Sequence, residues 1–265
     1  MTRVITFASG KGGVGKTTIT ANIGIAFAQM GFKVCLIDAD IAMANLSLLL
    51  GMQSSPITLH DVLLGEASIN DALYDGPVGV KFVPSGLSLE NYRRVDSERL
   101  ESVVIALKDQ FDFVLLDAPA GIEKNVLAAI AAAEEIILIT MPESPSIADV
   151  LKTKMVAERL GSKPIGVIVN FVYGEKGEIP VHDIMRMLEL PSYGTIPFDQ
   201  EVRKSFMQEK VQPVILRAPN AIASRALRSV AGRIAGVQLK EPAKEPGGLA
   251  KLFKSLGSIF KRKKK

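Results

Sequence analysis

Apolar and polar residues follow two different periods along this chain. Short, mostly apolar runs rich in Val, Ile, Leu and Phe predict buried strands at residues 3–8, 32–37, 80–84, 111–117, 135–140, 164–170 and 194–196. Between these runs, apolar residues recur every three or four positions and predict helices at residues 19–30, 59–64, 69–73, 97–108, 125–133, 147–160, 181–188, 200–207 and 220–234. Strands without a polar face that alternate with helices are typical of a parallel sheet covered on both sides. The pattern therefore predicts an α/β fold with a doubly wound, mainly parallel sheet.

The length and composition of the chain favour one large domain followed by a short tail. With 265 residues, of which 48% are hydrophobic, the chain can bury one sizeable core over residues 1–236. Residues 237–248 contain prolines, glycines and Lys-Glu pairs, which predicts a flexible linker. Residues 249–265 then form a separate tail. No internal repeat is evident.

Positive charge is concentrated at the end of the chain. The formal net charge is +4, but residues 246–265 contain seven basic residues and no acidic residue. The first 245 residues therefore carry 25 basic and 28 acidic side chains, a balance of −3. This asymmetry argues against a uniformly basic nucleic-acid-binding domain and predicts a local electrostatic function for the tail.

Cysteine usage and hydropathy bear on the compartment. The one cysteine, Cys35, lies in an apolar run and is predicted to be a buried core residue, which excludes a disulfide framework or a C-x-x-C metal site within one chain. The sequence starts in a predicted strand without a signal sequence, and no apolar run is long enough to span a membrane. These features predict a cytoplasmic protein. The two histidines, His60 and His182, are predicted to be exposed residues at helix ends.

A glycine-rich segment joins the first predicted strand to the first predicted helix. Its sequence, G-K-G-G-V-G-K-T-T, fits the phosphate-loop pattern G-x-x-x-x-G-K-[ST] and consists of Gly10, Lys11, Gly12, Gly13, Val14, Gly15, Lys16, Thr17 and Thr18. A strand–loop–helix arrangement lets backbone N–H groups and the positive end of the helix bind phosphate. We expect Lys16 to place its charge on the terminal phosphates and the Thr17 hydroxyl to bind Mg²⁺. Glycine-rich turns also occur without a ligand, but the Lys-Thr pair after a strand makes a nucleotide site the preferred interpretation.

Three carboxylates are predicted at the carboxyl ends of strands, where open parallel sheets bind their ligands. Asp117 ends an apolar strand about a hundred residues after the loop, which is the position of a Walker B aspartate that binds Mg²⁺ through its water shell. Asp38 could share that role. Asp40, two residues further on, is better placed to orient or deprotonate the attacking water. The alternative is that these residues cap helices or occupy turns, where Asp is favoured.

The loop, with its additional Lys11, resembles the deviant Walker A box of the MinD/ParA family of ATPases. The resemblance continues in L-I-D-A-D-I-A-M-A-N-L (36–46), L-L-D-A-P-A-G (115–121), the pair Pro142-Glu143 and I-P-F-D (196–199), and it covers residues 3 to 236. It implies an ATPase that is monomeric with ADP and a face-to-face homodimer with ATP, with ATP/ADP and Mg²⁺ as cofactors. It also implies that Lys11 reaches the phosphates of the partner copy and acts in catalysis there, as an arginine finger does.

The same resemblance suggests which residues surround the nucleoside. It implies that Glu143 faces the ribose and the dimer interface, and that Asn170 and the backbone near Pro197 and Asp199 lie on the adenine side. Family members commonly carry Arg after this asparagine, whereas Phe171 stands here. This departure bears on how adenine stacks.

The tail has the pattern of an amphipathic helix. Lysines and serines fall on one helical face, and the other face is lined by Leu249, Leu252, Phe253, Leu256, Ile259 and Phe260. Lys261 and Arg262 then begin a run of five basic residues. Such a segment is typical of a helix that lies in a membrane interface and binds anionic lipids. The alternatives are a helix docked on its own domain and a basic end that binds nucleic acid.

Together these features predict a Mg²⁺-dependent ATPase of MinD type that binds the inner face of the cytoplasmic membrane reversibly and positions partner proteins, as in division-site placement. Its expected partners are a second copy of itself, anionic lipids, and an activator or cargo protein that the sequence does not identify. A ParA-like ATPase that segregates DNA is the first alternative, and the apolar face of the tail argues against it, because DNA binding requires charge but no apolar face. A metal-cluster carrier is disfavoured by the lone Cys35, and a nonhydrolysing scaffold by Lys11 and Asp40.

Overall fold

A computed structural model describes residues 1–41, 45–52, 55–86, 96–208 and 211–237. Eight strands form one sheet with the order β3-β4-β2-β5-β1-β6-β7-β8. Their bounds are β1 Arg3–Ala8, β2 Val34–Asp38, β3 Tyr74–Asp75, β4 Lys81–Val83, β5 Phe113–Asp117, β6 Glu135–Thr140, β7 Lys163–Val172 and β8 Ser192–Pro197. β3 is antiparallel to β4, and every other pair in the sheet is parallel. This confirms the predicted α/β, mainly parallel sheet.

Helices cover both faces of the sheet. In chain order they are α1 Lys16–Gln29, α2 Leu46–Leu49, α3 Leu59–Leu64, α4 Leu100–Leu107, α5 Lys124–Ala131, α6 Ser144–Arg159, α7 Val181–Leu188, α8 Gln200–Ser205, α9 Val214–Arg217 and α10 Ile222–Ala235. The helices α3 to α7 pack on one face, whereas α1, α2, α9 and α10 pack on the other. Each face therefore closes its own apolar core, which is the doubly wound arrangement.

Successive residues of the central strands point into opposite cores. In β1, Val4 and Ala8 belong to the core under α3 to α7, whereas Ile5 and Phe7 belong to the core under α1 and α10. This is the two-residue period of a strand, and it explains why the strands are apolar throughout rather than alternating.

The topology places the carboxyl ends of β1, β2 and β5 side by side. β5 lies between β1 and β2, and the register sets Asp117 opposite both Phe7 and Asp38. From β1 the chain moves outward through β2 to the edge strand β3, returns through β4 to β5, and continues through β6 to β8 on the other side. Ligands of doubly wound sheets bind where the strand order reverses in this way. The loop after β1 therefore lies beside Asp38 and Asp117.

Three of these elements were not predicted from the sequence. The two-residue strand β3 is too short for a periodic signal, and it forms because Tyr74 pairs with Phe82 across a tight turn in which Gly79 has a φ of 78°. The helices α2 and α9 have four residues each, again below the length at which periodicity is readable. The predicted helix at 97–108 begins with one 3₁₀ turn, Ser97–Arg99, before α4.

The prediction that His60 is exposed is wrong, since only 1% of this residue is accessible to solvent. His60 lies on the face of α3 that packs against the sheet, and its ring rests on Gly86. His182 is exposed as predicted. Within the described ranges, no helix combines the length and the apolar character needed to cross a bilayer. The tail residues 249–265 lie outside the described residues, as does almost all of the predicted linker.

Candidate functional site

The loop between β1 and α1 presents an open helix end. α1 begins at Lys16, and its N-cap residue Gly15 has a left-handed φ of 86°, with no side chain to cap the helix. No acidic residue stands in the first turn. The first N–H groups of a helix lack partners within the helix, so an end without a side-chain cap or an acid is suited to bind an anion. Gly13, with a φ of 81°, makes the other left-handed turn of the loop.

Two close contacts fix the shape of this loop. Asn170, at the end of β7, donates a hydrogen bond from Nδ2 to the carbonyl oxygen of Val14 at 2.7 Å. A Cβ atom on Gly15 would lie 2.4 Å from that same Nδ2. At the start of the loop, a Cβ atom on Gly10 would lie 2.3 Å from the backbone carbon of Asp149 in α6. Both glycines are therefore required by the packing of the loop against neighbouring elements.

Lys16 and Asp117 form a buried ion pair. Lys16 Nζ lies 2.9 Å from Asp117 Oδ1, and the side chains are 8% and 1% accessible to solvent. Thr20, one turn further along α1, also donates its hydroxyl to Asp117 Oδ1 at 3.2 Å. The carboxylate thus connects β5 to the first turns of α1. Asp117 was predicted near Mg²⁺, and the structure places it within hydrogen-bond distance of the loop lysine.

Asp38 is a buried carboxylate at the end of β2. Its two oxygens accept hydrogen bonds from the backbone N–H groups of Asp40 and Leu46, at 3.2 and 3.1 Å. Burial raises the pKa of Asp38 well above its usual range, the negative charge of Asp117 raises it further, and the N–H of Leu46 opposes the rise. A positive charge that approaches this edge of the sheet would therefore stabilise the ionised form of Asp38.

The donor set at this edge fits Mg²⁺. Thr17, Asp38 and Asp117 supply the hard oxygen ligands that Mg²⁺ prefers. The Lys16 ammonium balances one of the two buried carboxylates, so a further cation would stabilise the other. Among the described residues, no group of three or more His, Cys, Asp or Glu side chains could hold a metal ion by itself. A site in which one hydroxyl and two carboxylates are completed by oxygens of the nucleotide is consistent with that.

A single cleft brings most of the predicted residues together. It has a volume of about 780 Å³, within the range of ~300–1,000 Å³ that is usual for small-molecule sites. Its walls include residues 11–18 of the loop and Asp40, together with Asn45, Leu48, Phe171 and Phe206. Asp40 is half-buried and lines the same cleft as the loop.

Lys11 and Glu143 meet at the rim. Lys11 Nζ lies 3.6 Å from Glu143 Oε2 of the same chain, and both side chains are partly exposed. Glu143 is the N-cap residue of α6, but its side chain makes no capping hydrogen bond. Both groups are therefore accessible to a partner or a ligand at this rim.

The residues predicted on the adenine side line an apolar slot next to the loop. Asn170, Phe171, Pro197 and Asp199 lie in its wall, and it shares Gly15 and Thr18 with the phosphate loop. Phe171 has a left-handed φ of 53°, which is uncommon for a bulky residue. Burial raises the pKa of Asp199, but hydrogen bonds from the N–H groups of Ala223 and Glu201 outweigh this, so the pKa is lower than usual.

Sequence reasoning did not identify Thr20 and Asp149 as part of the site. Thr20 follows Lys16 by four residues, so the helical period would have placed it on the same face. Asp149 supports the loop through its backbone, where residue type carries no signal. That contact was not readable from the sequence.

A parallel sheet with a phosphate loop between its central strand β1 and the following helix, and with aspartates at the ends of the adjacent strand β5 and of β2 beyond it, defines a P-loop nucleotide-binding protein. Within this class, the family model of the CobQ/CobB/MinD/ParA nucleotide-binding domain matches residues 5–212. The chain belongs to this family, which confirms the resemblance to the MinD/ParA family noted from the motifs.

Individual relatives cover nearly the whole chain. An uncharacterised ATP-binding protein of Methanocaldococcus jannaschii is 44% identical over 260 residues, 97% of each chain. The septum site-determining protein MinD of Synechocystis is 37% identical over 246 residues, 89% of this chain and 90% of its own. The structure of MinD from Pyrococcus horikoshii in complex with Mg-ADP is 36% identical, has a TM-score of 0.84, and is covered over 96% of its length by 88% of this chain. These findings agree with the predicted ATP/ADP and Mg²⁺ cofactors.

Proposed function

We propose that this protein is a MinD-type, Mg²⁺-dependent ATPase. The observation that carries the proposal is the convergence of the phosphate loop, the Lys16–Asp117 pair, Asp38 and Asp40 on one edge of the sheet. Family membership and the Mg-ADP complex of the Pyrococcus horikoshii MinD support it.

Each residue of the site has a distinct part in the proposed reaction. The N–H groups of residues 12–18 bind the phosphate oxygens, and Lys16 places its charge on the terminal phosphates. Thr17, Asp38 and Asp117 would hold Mg²⁺, which supplies charge neutralisation on the transferring phosphoryl group. Asp40 orients the attacking water and accepts its proton. Because Asp117 already holds the Lys16 ammonium, the cation is oriented before the substrate arrives.

A second copy of the chain completes the site in this proposal. Lys11 stands at the rim, partly exposed and paired with Glu143. In a face-to-face dimer, its ammonium reaches the phosphates bound by the partner and stabilises the charge that develops there. Hydrolysis then depends on dimerisation. The base lies in the apolar slot beside Asn170, Pro197 and Asp199, and Glu143 lies on the ribose side.

We also propose that the tail binds membranes reversibly when ATP holds the dimer together. The support is the sequence pattern of residues 249–262, with an apolar face followed by basic residues. One short helix binds weakly, because ordering its backbone costs about 1–2 kcal/mol per residue. Two tails on one dimer bind with avidity, which can raise affinity by about 10²-fold or more. Hydrolysis would release the dimer and the membrane together, so that a bound cargo or activator protein is positioned on the inner membrane face.

Steady-state hydrolysis of ATP with Mg²⁺ tests the catalytic proposal. Asp40→Asn keeps the size of the side chain and removes the base, so we expect a loss of about 10²-fold or more in kcat with ATP affinity largely kept. Asp75→Asn, on an exposed edge-strand carboxylate, is the matched control and should hydrolyse ATP at the wild-type rate. A wild-type protein that binds ATP but does not turn it over, in the presence of membranes as well, would contradict the proposal.

Sedimentation with anionic liposomes tests the membrane proposal. We expect pelleting with ATP and not with ADP, and loss of pelleting when the chain is truncated after Glu245. The double variant Phe253→Ser/Leu256→Ser keeps every charge of the tail and removes part of its apolar face, so it should also remain in the supernatant. ATP-dependent retention of this variant on DNA, together with failure of the wild type to pellet, would favour the ParA-like alternative.

A further inference from the structure

His60 is a buried histidine whose ring contacts Ile41, the residue that follows the proposed catalytic Asp40, although His60 and Asp40 are 20 residues apart in the sequence. It belongs to α3, whose first N–H, from Leu59, donates to the carbonyl of Pro84 at the end of β4 at 2.8 Å. Its ring packs so tightly on Gly86 that a Cβ atom there would lie 2.2 Å from Nδ1. The position of the ring is therefore set by the packing of α3 against β4.

The hydrogen bonding of His60 defines its tautomer. Nε2 lies 3.0 Å from the carbonyl oxygen of Ile41. A carbonyl oxygen can only accept, so the proton is on Nε2 and the ring donates. Nδ1 is buried and has no hydrogen-bond partner among the described residues. A buried polar ring with an unsatisfied nitrogen is costly, and the bond to Ile41 is the interaction that offsets part of that cost.

Ile41 directly follows Asp40, in a turn in which the N–H group of each successive residue donates a hydrogen bond. The N–H of Ala39 donates to the carbonyl of Asp117 at 3.1 Å, and the N–H of Asp40 donates to Asp38 Oδ1 at 3.2 Å. The N–H of Ile41 donates to the carbonyl of Ala39 at 3.0 Å. The His60 bond fixes the carbonyl on the far side of Asp40. The backbone on both sides of Asp40 is thus held by side chains from the sheet end and from α3.

We propose that His60 is a positioning residue for Asp40: by donating from Nε2 to the Ile41 carbonyl, it holds the turn after β2 so that the Asp40 carboxylate faces the phosphate loop. This inference rests on the proposed role of Asp40 in hydrolysis. Proton transfer to a positioned base is sensitive to small displacements, because the base must lie within hydrogen-bond reach of the water. A residue that never touches the nucleotide can therefore control kcat.

Two substitutions of His60 separate positioning from folding. His60→Gln places an amide donor close to the position of Nε2, whereas His60→Leu fills the space without a donor. We expect His60→Leu to lower kcat for ATP about tenfold or more with KM and ADP affinity within about twofold of the wild type. His60→Gln should recover most of that loss. His182→Gln, at the exposed histidine, is the control and should match the wild type.

The imidazole ¹⁵N spectrum provides a readout that does not depend on turnover. The chain has two histidines, so comparison with His182→Gln assigns the signals. We expect His60 to be the neutral Nε2–H tautomer at pH 7. The Nδ1–H tautomer leaves Nε2 without a proton to donate to Ile41, so observing it would overturn the proposal even if every kinetic result were unchanged.

The kinetic outcomes are also distinguishable from a failure of the catalytic proposal. If wild-type protein hydrolyses ATP and Asp40→Asn does not, but His60→Leu has a wild-type kcat, His60 has no positioning role. If His60→Gln is as impaired as His60→Leu and both lose affinity in proportion to their lower Tm, His60 serves folding alone. If Asp40→Asn retains full activity, the proposed role of Asp40 fails first.

Discussion

The ammonium of Lys16 lies 2.9 Å from Oδ1 of Asp117, and the two side chains are almost completely buried. The two residues are 101 positions apart in the sequence, in the first turn of α1 and at the end of β5. The pair therefore ties the phosphate loop to the centre of the sheet. It also joins the stability of the fold to the chemistry of the site, since the cation that would meet the phosphates is the cation that compensates a buried carboxylate.

Replacement of Lys16 by Met should destabilise the protein in the absence of nucleotide. Lys16→Met keeps the length of the side chain and leaves Asp117 buried without its cation, next to Asp38. We expect the free energy of unfolding to fall by about 3–5 kcal/mol, as for other buried pairs that lose one partner. Urea denaturation without nucleotide measures this change.

Two controls identify the ion pair as the cause. The double variant Lys16→Met/Asp117→Asn removes both charges, so much of the lost stability should return. Lys108→Met breaks a pair with Glu134 at 2.7 Å on the surface, which should change stability by less than about 1 kcal/mol. Equal losses for Lys16→Met and Lys108→Met would contradict the assignment.

Glycine at position 15 should be required for the shape of the loop. Gly15→Ala puts a Cβ atom at a φ of 86° and 2.4 Å from Asn170 Nδ2, so we expect a loss of about 1–3 kcal/mol in the free energy of unfolding. The control is Gly12→Ala, where a Cβ atom meets nothing within 4 Å. Chemical denaturation of the nucleotide-free proteins compares the two. A destabilised Gly12→Ala variant, or an unaffected Gly15→Ala variant, would show that the loop has another conformation.

The buried His60 should make stability depend on pH. Burial lowers its pKa below the usual 6.5, with the Ile41 hydrogen bond opposing that shift. When the pKa is lower in the folded than in the unfolded state, the unfolded chain binds more protons, so the contribution of His60 to stability is present above about 6.5 and is lost as the pH falls.

We therefore expect wild-type protein to lose more stability than His60→Gln between pH 7.5 and pH 5. Urea denaturation at the two pH values gives the difference. His182→Gln should keep the full wild-type dependence, because that histidine is exposed. Identical losses for wild type and His60→Gln would show that the ring is not buried in its neutral form.

The sequence was sufficient for those features whose signal is local. Apolar runs identify the parallel strands, and the strand ends place Asp38 and Asp117 at the edge where the loop lies. The loop itself is recognisable because its glycines and its Lys-Thr pair are contiguous.

Contacts between elements that are distant in the sequence could not be predicted from local sequence patterns. The bond from Asn170 to Val14 and the approach of Asp149 to Gly10 depend on how β7 and α6 pack against the loop. The burial of His60 has no signal in the short helix α3, because six residues are too few for a readable period, and it depends on the packing of the ring against Gly86 after β4. Such contacts are decided by tertiary packing, which overrides local preference.

Mixing two inactive variants tests most directly the central claim, that two copies of this chain build one site for ATP hydrolysis. Lys11→Ala and Asp40→Ala should each be inactive alone. In a mixed dimer, the site on the Lys11→Ala subunit keeps its own Asp40 and receives Lys11 from the partner. At equal concentrations the mixture should regain about a quarter of the wild-type rate, because half of randomly formed dimers are mixed and each has one complete site.

The opposite result has an equally definite meaning. Lys11 lies 3.6 Å from Glu143 of its own chain, and if it acts on its own nucleotide, neither subunit of a mixed dimer has a complete site. ATP hydrolysis by the mixture, measured with Mg²⁺ and anionic liposomes, would then stay at the level of the separate variants. Recovery to about a quarter of the wild-type rate supports a site shared between two copies, and no recovery contradicts it.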